Sequence, residues 1–256
     1  MPRPPSQELL NRVMSPIVKK DMKKTTTPSK RPLLVNKLGK ACEHFQHPFR
    51  LIVSGRSTMG KTTLSVDIIL AHIIKQVRRC FAACPTFWDQ PALARFRSIP
   101  GAFTKKTVFT QVDDNVFEFI YQQLKRNPAP TLLFVDDAAA EAATNKGNKG
   151  AFSRLCLAAP HLNLTIIGCF QRLTAASPAF RDNAEGLISF TPTKLMDVDT
   201  IVKEFNPCPA KKNSKEICSK ALQYAWDEHM YALIWRMKRG PVIFYSGLDS
   251  VIAFDS

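Results

Sequence analysis

The stretch that most restricts the fold is Leu51-Ile52-Val53-Ser54-Gly55-Arg56-Ser57-Thr58-Met59-Gly60-Lys61-Thr62-Thr63-Leu64. An apolar run that reads as a buried strand enters a G-x-x-x-x-G-K-T loop, and a helical pattern follows from Thr63 to Lys75. Strand, loop and helix in that order are the context in which this spacing cradles phosphate. A triphosphate needs many donors converging over few residues. Gly55 and Gly60 let the backbone turn tightly and approach the anion without an intervening side chain, so backbone N–H groups can face it. The helix that starts near Lys61 adds its positive end. The expected cradle therefore runs through Gly55, Arg56, Ser57, Thr58, Met59, Gly60, Lys61, Thr62 and Thr63. Within it Lys61 reaches the β- and γ-phosphates of ATP, and the Thr62 hydroxyl binds Mg²⁺.

The next signal is Thr131-Leu132-Leu133-Phe134-Val135-Asp136-Asp137, a continuous apolar strand ending in two carboxylates. In open parallel sheets ligands bind at the carboxyl ends of the strands, so this is the expected second half of a nucleotide site. Asp136 is read as a Mg²⁺ ligand, and Asp137 as the group that polarises the attacking water. Asn163 to Phe170 reads as a further buried strand that delivers Gln171 to the same edge. An amide there can bond to the γ-phosphate or the water and report whether the nucleotide is intact. Arg181, on the connection at the nucleotide edge before a strand at Gly186 to Phe190, is a candidate arginine finger, in trans if subunits form a ring; the competing reading is a salt-bridged surface arginine.

Other strands read at Arg79 to Cys84 and Thr107 to Val112. Helices read at Val116 to Arg126, Phe152 to Ala159, Met196 to Phe205 and Ser214 to Glu228. A β-hairpin reads at Tyr231 to Arg236 and Val242 to Tyr245, around Lys238-Arg239-Gly240-Pro241. These elements imply an α/β fold, a central mostly parallel sheet flanked by helices. They divide the chain into a basic flexible arm (1–47), a phosphate-loop core (48–205), and a C-terminal helix and hairpin packed on it (206–256). Asn145-Lys146-Gly147-Asn148-Lys149-Gly150 closes a small, polar stretch that reads as a surface loop.

Charge narrows the partners. The chain carries 36 Lys and Arg against 21 Asp and Glu, a net charge of +15. Residues 1–50 alone hold eleven basic and three acidic residues. Nucleic acid, an acidic protein and an anionic membrane could each use such an excess. No apolar run approaches the length of a membrane span, and Met1 to Pro5 leads into a polar segment instead of a signal-peptide core. Seven cysteines, odd in number and mostly in apolar patterns, read as reduced thiols of an intracellular protein. Cys42-Glu43-His44-Phe45-Gln46-His47 lacks a second ligand pair at zinc-finger spacing.

The order of motifs is phosphate loop, Cys84-Pro85-Thr86-Phe87 after a second strand, Asp136-Asp137, and His161-Leu162-Asn163 leading to Gln171. Arg181-Asp182-Asn183 and a fifth strand follow. This order resembles the viral genome-packaging ATPases of the FtsK/HerA superfamily, the type of poxviruses, other large DNA viruses, virophages and polinton-like elements. The resemblance covers roughly residues 48 to 205. It implies an additional-strand P-loop ATPase of RecA/FtsK type, with the Gln171 strand lying between the phosphate-loop strand and the Asp136 strand. It further implies a homo-oligomeric ring, pentameric or hexameric, that drives double-stranded DNA into a preformed capsid. A virus-encoded protein acting in the host nucleus or cytoplasm, associated with the virion and not secreted, follows from the same resemblance. Two residues depart from the pattern: Asp137 stands where many members have glutamate, and Arg56 with Met59 where small loop residues are common.

Two alternative functions remain on the sequence alone. A helicase-like ATPase on single strands wants exposed aromatics for base stacking, and only Phe87 and Trp88 offer them. A P-loop nucleotide or nucleoside kinase wants an arginine-rich lid, and residues 138–150 contain no arginine.

Overall fold

Among the described residues, near-continuous apolar strands build one nine-stranded sheet with helices on both faces. The computed structural model describes residues 41–136, 150–192, 194–206, 213–237 and 240–252. The chain divides into two units, residues 1–31 and 32–256, and all described residues belong to the second. Most of the expected arm, Asp137, the polar loop before Gly150, and Lys238-Arg239 lie outside the described residues.

The strands are β1 (Arg50–Ser54), β2 (Arg79–Ala83), β3 (Val108–Phe109), β4 (Thr131–Val135), β5 (Leu164–Phe170), β6 (Gly186–Phe190), β7 (Tyr231–Arg236), β8 (Val242–Ser246) and β9 (Ser250–Ile252). Their spatial order is β3-β2-β4-β5-β1-β6-β7-β8-β9. The first six pair in parallel and the last three add antiparallel to β6. Strand β5 lies between β1 and β4, which is the additional-strand arrangement that the family resemblance implies. The C-terminal hairpin extends the same sheet, and β9 lengthens it by a strand too short for a sequence pattern to reveal.

The two faces follow the period-2 rule of strands. Ile52, Phe81, Leu133, Val135, Ile166 and Leu187 face one side. There they meet Phe117, Ile120 and Leu124 of α3 (Asp114–Arg126), Phe152 and Leu155 of α4 (Ala151–Ala158), and Phe180 of α5 (Pro178–Asn183). Helices α6 (Leu195–Glu204) and α7 (Ser214–His229) cover the rest of that side through Ile201, Leu222 and Trp226. Leu51, Val53, Ala82, Leu132, Phe134 and Ile167 face the other side, against Val66 and Ile68 of α1 (Lys61–Ile68). Helix α1 continues as a π-helical turn over Ile69–Ile73.

Burial on both faces explains why the parallel strands are near-continuous apolar runs. Helix α3 is capped by Asp113, whose carboxylate accepts from Val116 N–H at 3.0 Å.

Residues 41–47, which the sequence places in the flexible arm, belong to the fold. Ala41 and Phe45 are fully buried, and Ala41 N–H bonds to Leu248 O at 3.0 Å. His44 stacks on Trp235 with centroids 5.4 Å apart and bonds to the Tyr245 hydroxyl at 2.6 Å. His47 bonds to Thr165 Oγ1 and Asn163 Oδ1. The sequence feature missed is aromatic: Phe45 and Phe49 pack with Trp235 and anchor the segment against β7. At the other end of the sheet, the expected strand at Thr107 to Val112 shrinks to the two residues of β3.

Candidate nucleotide site

Strand β1 ends at Ser54, and Gly55 N–H immediately bonds to Phe170 O of β5 at 3.1 Å. A Cβ on Gly55 would lie 2.6 Å from Phe190 Cβ, so the residue is glycine because β6 presses on it. Gly60 has a different reason. Its φ of 91° lies in the left-handed region, and a Cβ there would meet nothing within 4 Å. Thr58 is also left-handed, at φ 68°. The loop thus turns twice through conformations that L-residues rarely adopt, and Gly60 opens α1 from the N-cap position.

Lys61 is 9% exposed, and its ammonium donates to Arg56 O at 2.8 Å. The lysine is folded back onto the loop that it follows. Thr62 Oγ1 donates to Asp136 Oδ2 at 2.7 Å, joining the phosphate loop to the end of β4 across intervening β5. Asp136 is 3% exposed, and its N–H bonds to Ala83 O of β2.

These residues surround a cavity of about 330 Å³ lined by Ser57, Thr58, Gly60, Lys61, Thr62, Thr63, Asp136 and Gln171, together with Gln90, Pro91, Ala92 and Cys169. Gln171 stands at the end of β5 as expected, exposed beside Asp136 and Thr62. Arg56 is exposed, and Met59 is half-buried against the apolar cluster under α1.

Arg181 is placed otherwise than the sequence led us to expect. Helix α5 carries the chain back from the end of β5 to the start of β6, as a connection between parallel strands must. Arg181 sits in its last turn, at the edge opposite the cavity. Its Nε donates to Glu204 Oε2 at 2.9 Å with the two side chains 15% and 22% exposed, and its carbonyl accepts from Arg236. A salt-bridged arginine on the far edge replaces the expected residue at the nucleotide edge.

Sequence reasoning missed Gln90, Pro91, Ala92 and Cys169. The first three lie on the excursion between β2 and β3, which packs beside α1; Asp67 of α1 pairs with Arg95 there. Their one visible signal was position, a few residues beyond the carboxyl end of a central parallel strand. Cys169 Sγ lies 3.2 Å from Ser65 Oγ, and burial together with nearby Asp136 pushes its thiol pKa up, so the thiolate is disfavoured.

The donor set suits a hard divalent cation. Thr62 supplies a hydroxyl and Asp136 one carboxylate, and Mg²⁺ is commonly held by one or two carboxylates with phosphates and waters completing the shell. Among the described residues there is no cluster of three His, Cys, Asp or Glu side chains that would make an all-protein metal cage.

No protein-family profile and no curated protein sequence matches the chain. Solved structures do. The genome packaging NTPase B204 from Sulfolobus turreted icosahedral virus 2, in complex with ATP-gammaS, aligns with TM-score 0.52 at 17% identity, over 78% of this chain and 98% of that one. B204, the DNA-packaging ATPase from Sulfolobus Turreted Icosahedral Virus, aligns with TM-score 0.52 at 16% identity, over 74% and 92%. The sulfate complex of the former aligns with TM-score 0.51 at 16% identity, over 78% and 96%. The chain therefore has the P-loop fold of B204, the fold that the family resemblance implies.

Proposed function

We propose that the protein is an ATP-hydrolysing motor of the FtsK/HerA type that moves double-stranded DNA and packages a viral genome into a capsid. The observation that carries this reading is the Thr62–Asp136 hydrogen bond of 2.7 Å with Gln171 beside it, which unites three separate sequence signals in one cavity. The neighbour with the same fold holds an ATP analogue.

In this reading Lys61 leaves the Arg56 carbonyl and moves onto the β- and γ-phosphates, while backbone N–H groups of Ser57 to Thr63 hold the rest of the chain of phosphates. Thr62 and Asp136 would hold Mg²⁺, which would supply charge neutralisation at the phosphates. Asp137, next after Asp136, orients the attacking water, and Gln171 reports the γ-phosphate. Such chemistry is mostly positioning plus electrostatic stabilisation. Arg181 is left out, because its guanidinium already serves Glu204 within the chain.

The net charge of +15 suits a backbone-reading, sequence-indifferent grip on DNA, and a pentameric or hexameric ring with a capsid partner completes the proposal. The test is the ATPase rate with and without double-stranded DNA over a salt series. We expect stimulation that disappears at high salt. A rate indifferent to DNA, with phosphate passed to a nucleoside or nucleotide acceptor, overturns the motor in favour of a kinase.

A further inference from the structure

Gln90 Oε1 is the one buried side-chain N or O atom among the described residues without a hydrogen-bond partner. An acceptor held this way is destabilising, and such groups call for an explanation. Its location offers one, since Gln90 lines the nucleotide cavity.

The backbone that carries it is fixed. Gln90 N–H bonds to Thr86 O at 2.9 Å, and Leu93 N–H to Gln90 O at 3.1 Å. Phe87, fully buried, pins the turn against Phe96 and Phe103, and Arg97 donates to Trp88 O. The terminal torsion of a carboxamide is soft and roughly two-fold. A half-turn redirects the oxygen.

The position also selects what the oxygen meets. Gln90 follows β2, which pairs with β4, the strand that leads into Asp136, and Gln90 and Asp136 line the same cavity. A phosphate oxygen needs a donor and gains nothing from a carbonyl. A Mg²⁺ ion keeps several waters in sites of this kind, and their hydrogens need acceptors.

Resting on the nucleotide reading above, we propose that Gln90 is a positioning residue for the divalent cation. Its carboxamide oxygen accepts a hydrogen bond from a water in the hydration shell of the cation that Thr62 and Asp136 hold. Gln90 thereby helps to fix the cation's place relative to the phosphates.

The test separates metal from nucleotide. Mn²⁺ affinity is measured by electron paramagnetic resonance in the presence of the non-hydrolysable analogue AMP-PNP, and metal-free affinity by a fluorescent ATP analogue in EDTA. For Gln90→Leu we expect Mn²⁺ to bind about tenfold more weakly, the lower end of the range for outer-shell partners, with metal-free nucleotide binding unchanged. Gln90→Glu keeps the acceptor and should bind Mn²⁺ at least as tightly as wild type, which guards against a leucine variant that fails to fold. Wild-type Mn²⁺ affinity in Gln90→Leu, or equal losses with and without metal, overturns the assignment and leaves the nucleotide site standing. Absence of any nucleotide binding by the wild-type protein sinks both.

Discussion

The two glycines of the phosphate loop should respond differently to the same substitution. In Gly55→Ala the new Cβ would sit 2.6 Å from Phe190 Cβ, with Phe190 Cγ and Cδ2 at 3.2 and 3.3 Å. Ordinary contact begins near 3.4 Å, so the shortfall is about 0.8 Å. A Cβ cannot rotate away, and Phe190 is 4% exposed at the end of β6, which pairs with β1 through Ser54↔Ser189. The two strands must therefore separate at the point where the loop begins. We expect about 2–3 kcal/mol of destabilisation, the upper part of the overpacking range, or about 4–12 °C in Tm for a chain of this size. Gly60→Ala meets no atom, and its φ of 91° leaves only backbone strain, about 1–2 kcal/mol. Urea unfolding gives both values, with an unchanged m showing that stability alone has moved. A second measurement identifies the contact. Phe190→Ala keeps its Cβ, so the Gly55→Ala penalty should persist in that background. A Gly55→Ala protein within about 0.5 kcal/mol of wild type, the range of neutral surface changes, would refute the steric argument.

Three further outcomes are expected. Lys61→Ala and Asp136→Asn should each lose ATP hydrolysis by about a hundredfold or more, the scale seen when one preorganised charge-stabilising group is removed; wild-type turnover in either, by a phosphate-release assay, removes the site assignment. Glu185→Ala should destabilise the fold by about 3–5 kcal/mol, because it strands the buried Arg50 guanidinium that Glu185 grips at 2.6 and 3.1 Å, and adding Arg50→Met should recover most of the loss in urea titrations. Burial holds the His47 pKa below its ordinary 6.5, so the unfolded chain takes up protons there that the fold resists. Stability is thus full above pH 6.5 and falls as pH drops through that value towards the folded pKa; His47→Gln should flatten that slope in unfolding titrations from pH 7 to 5.

What the sequence made legible was local. The strand–loop–helix at Leu51 to Lys75 and the apolar run ending in Asp136 carry their patterns within a dozen residues, and the fold places both at one edge. The position of β5 between them was implied by family resemblance, since no periodicity encodes which parallel strands are neighbours. Long-range contacts were out of reach. Gly55 reads as a turn glycine but is dictated by Phe190, more than a hundred residues away. Gln90 follows no motif and enters the cavity only because the excursion after β2 folds back on α1. Arg181 shows the opposite error: a charged residue near the right motifs was assigned to the wrong edge because α5 returns the chain across the sheet.

The ends of the sheet bear on assembly. At one side the last strand is β3, two residues long, and at the other the last described strand is β9, with three. Among the described residues neither presents enough unpaired backbone to template another chain's strand, a device by which sheets avoid edge-to-edge growth. In the proposed ring, contacts made by the described residues would run through side chains and loops instead of a continuous intersubunit sheet. Such joints can loosen and re-form with each turnover without breaking a hydrogen-bonded ladder.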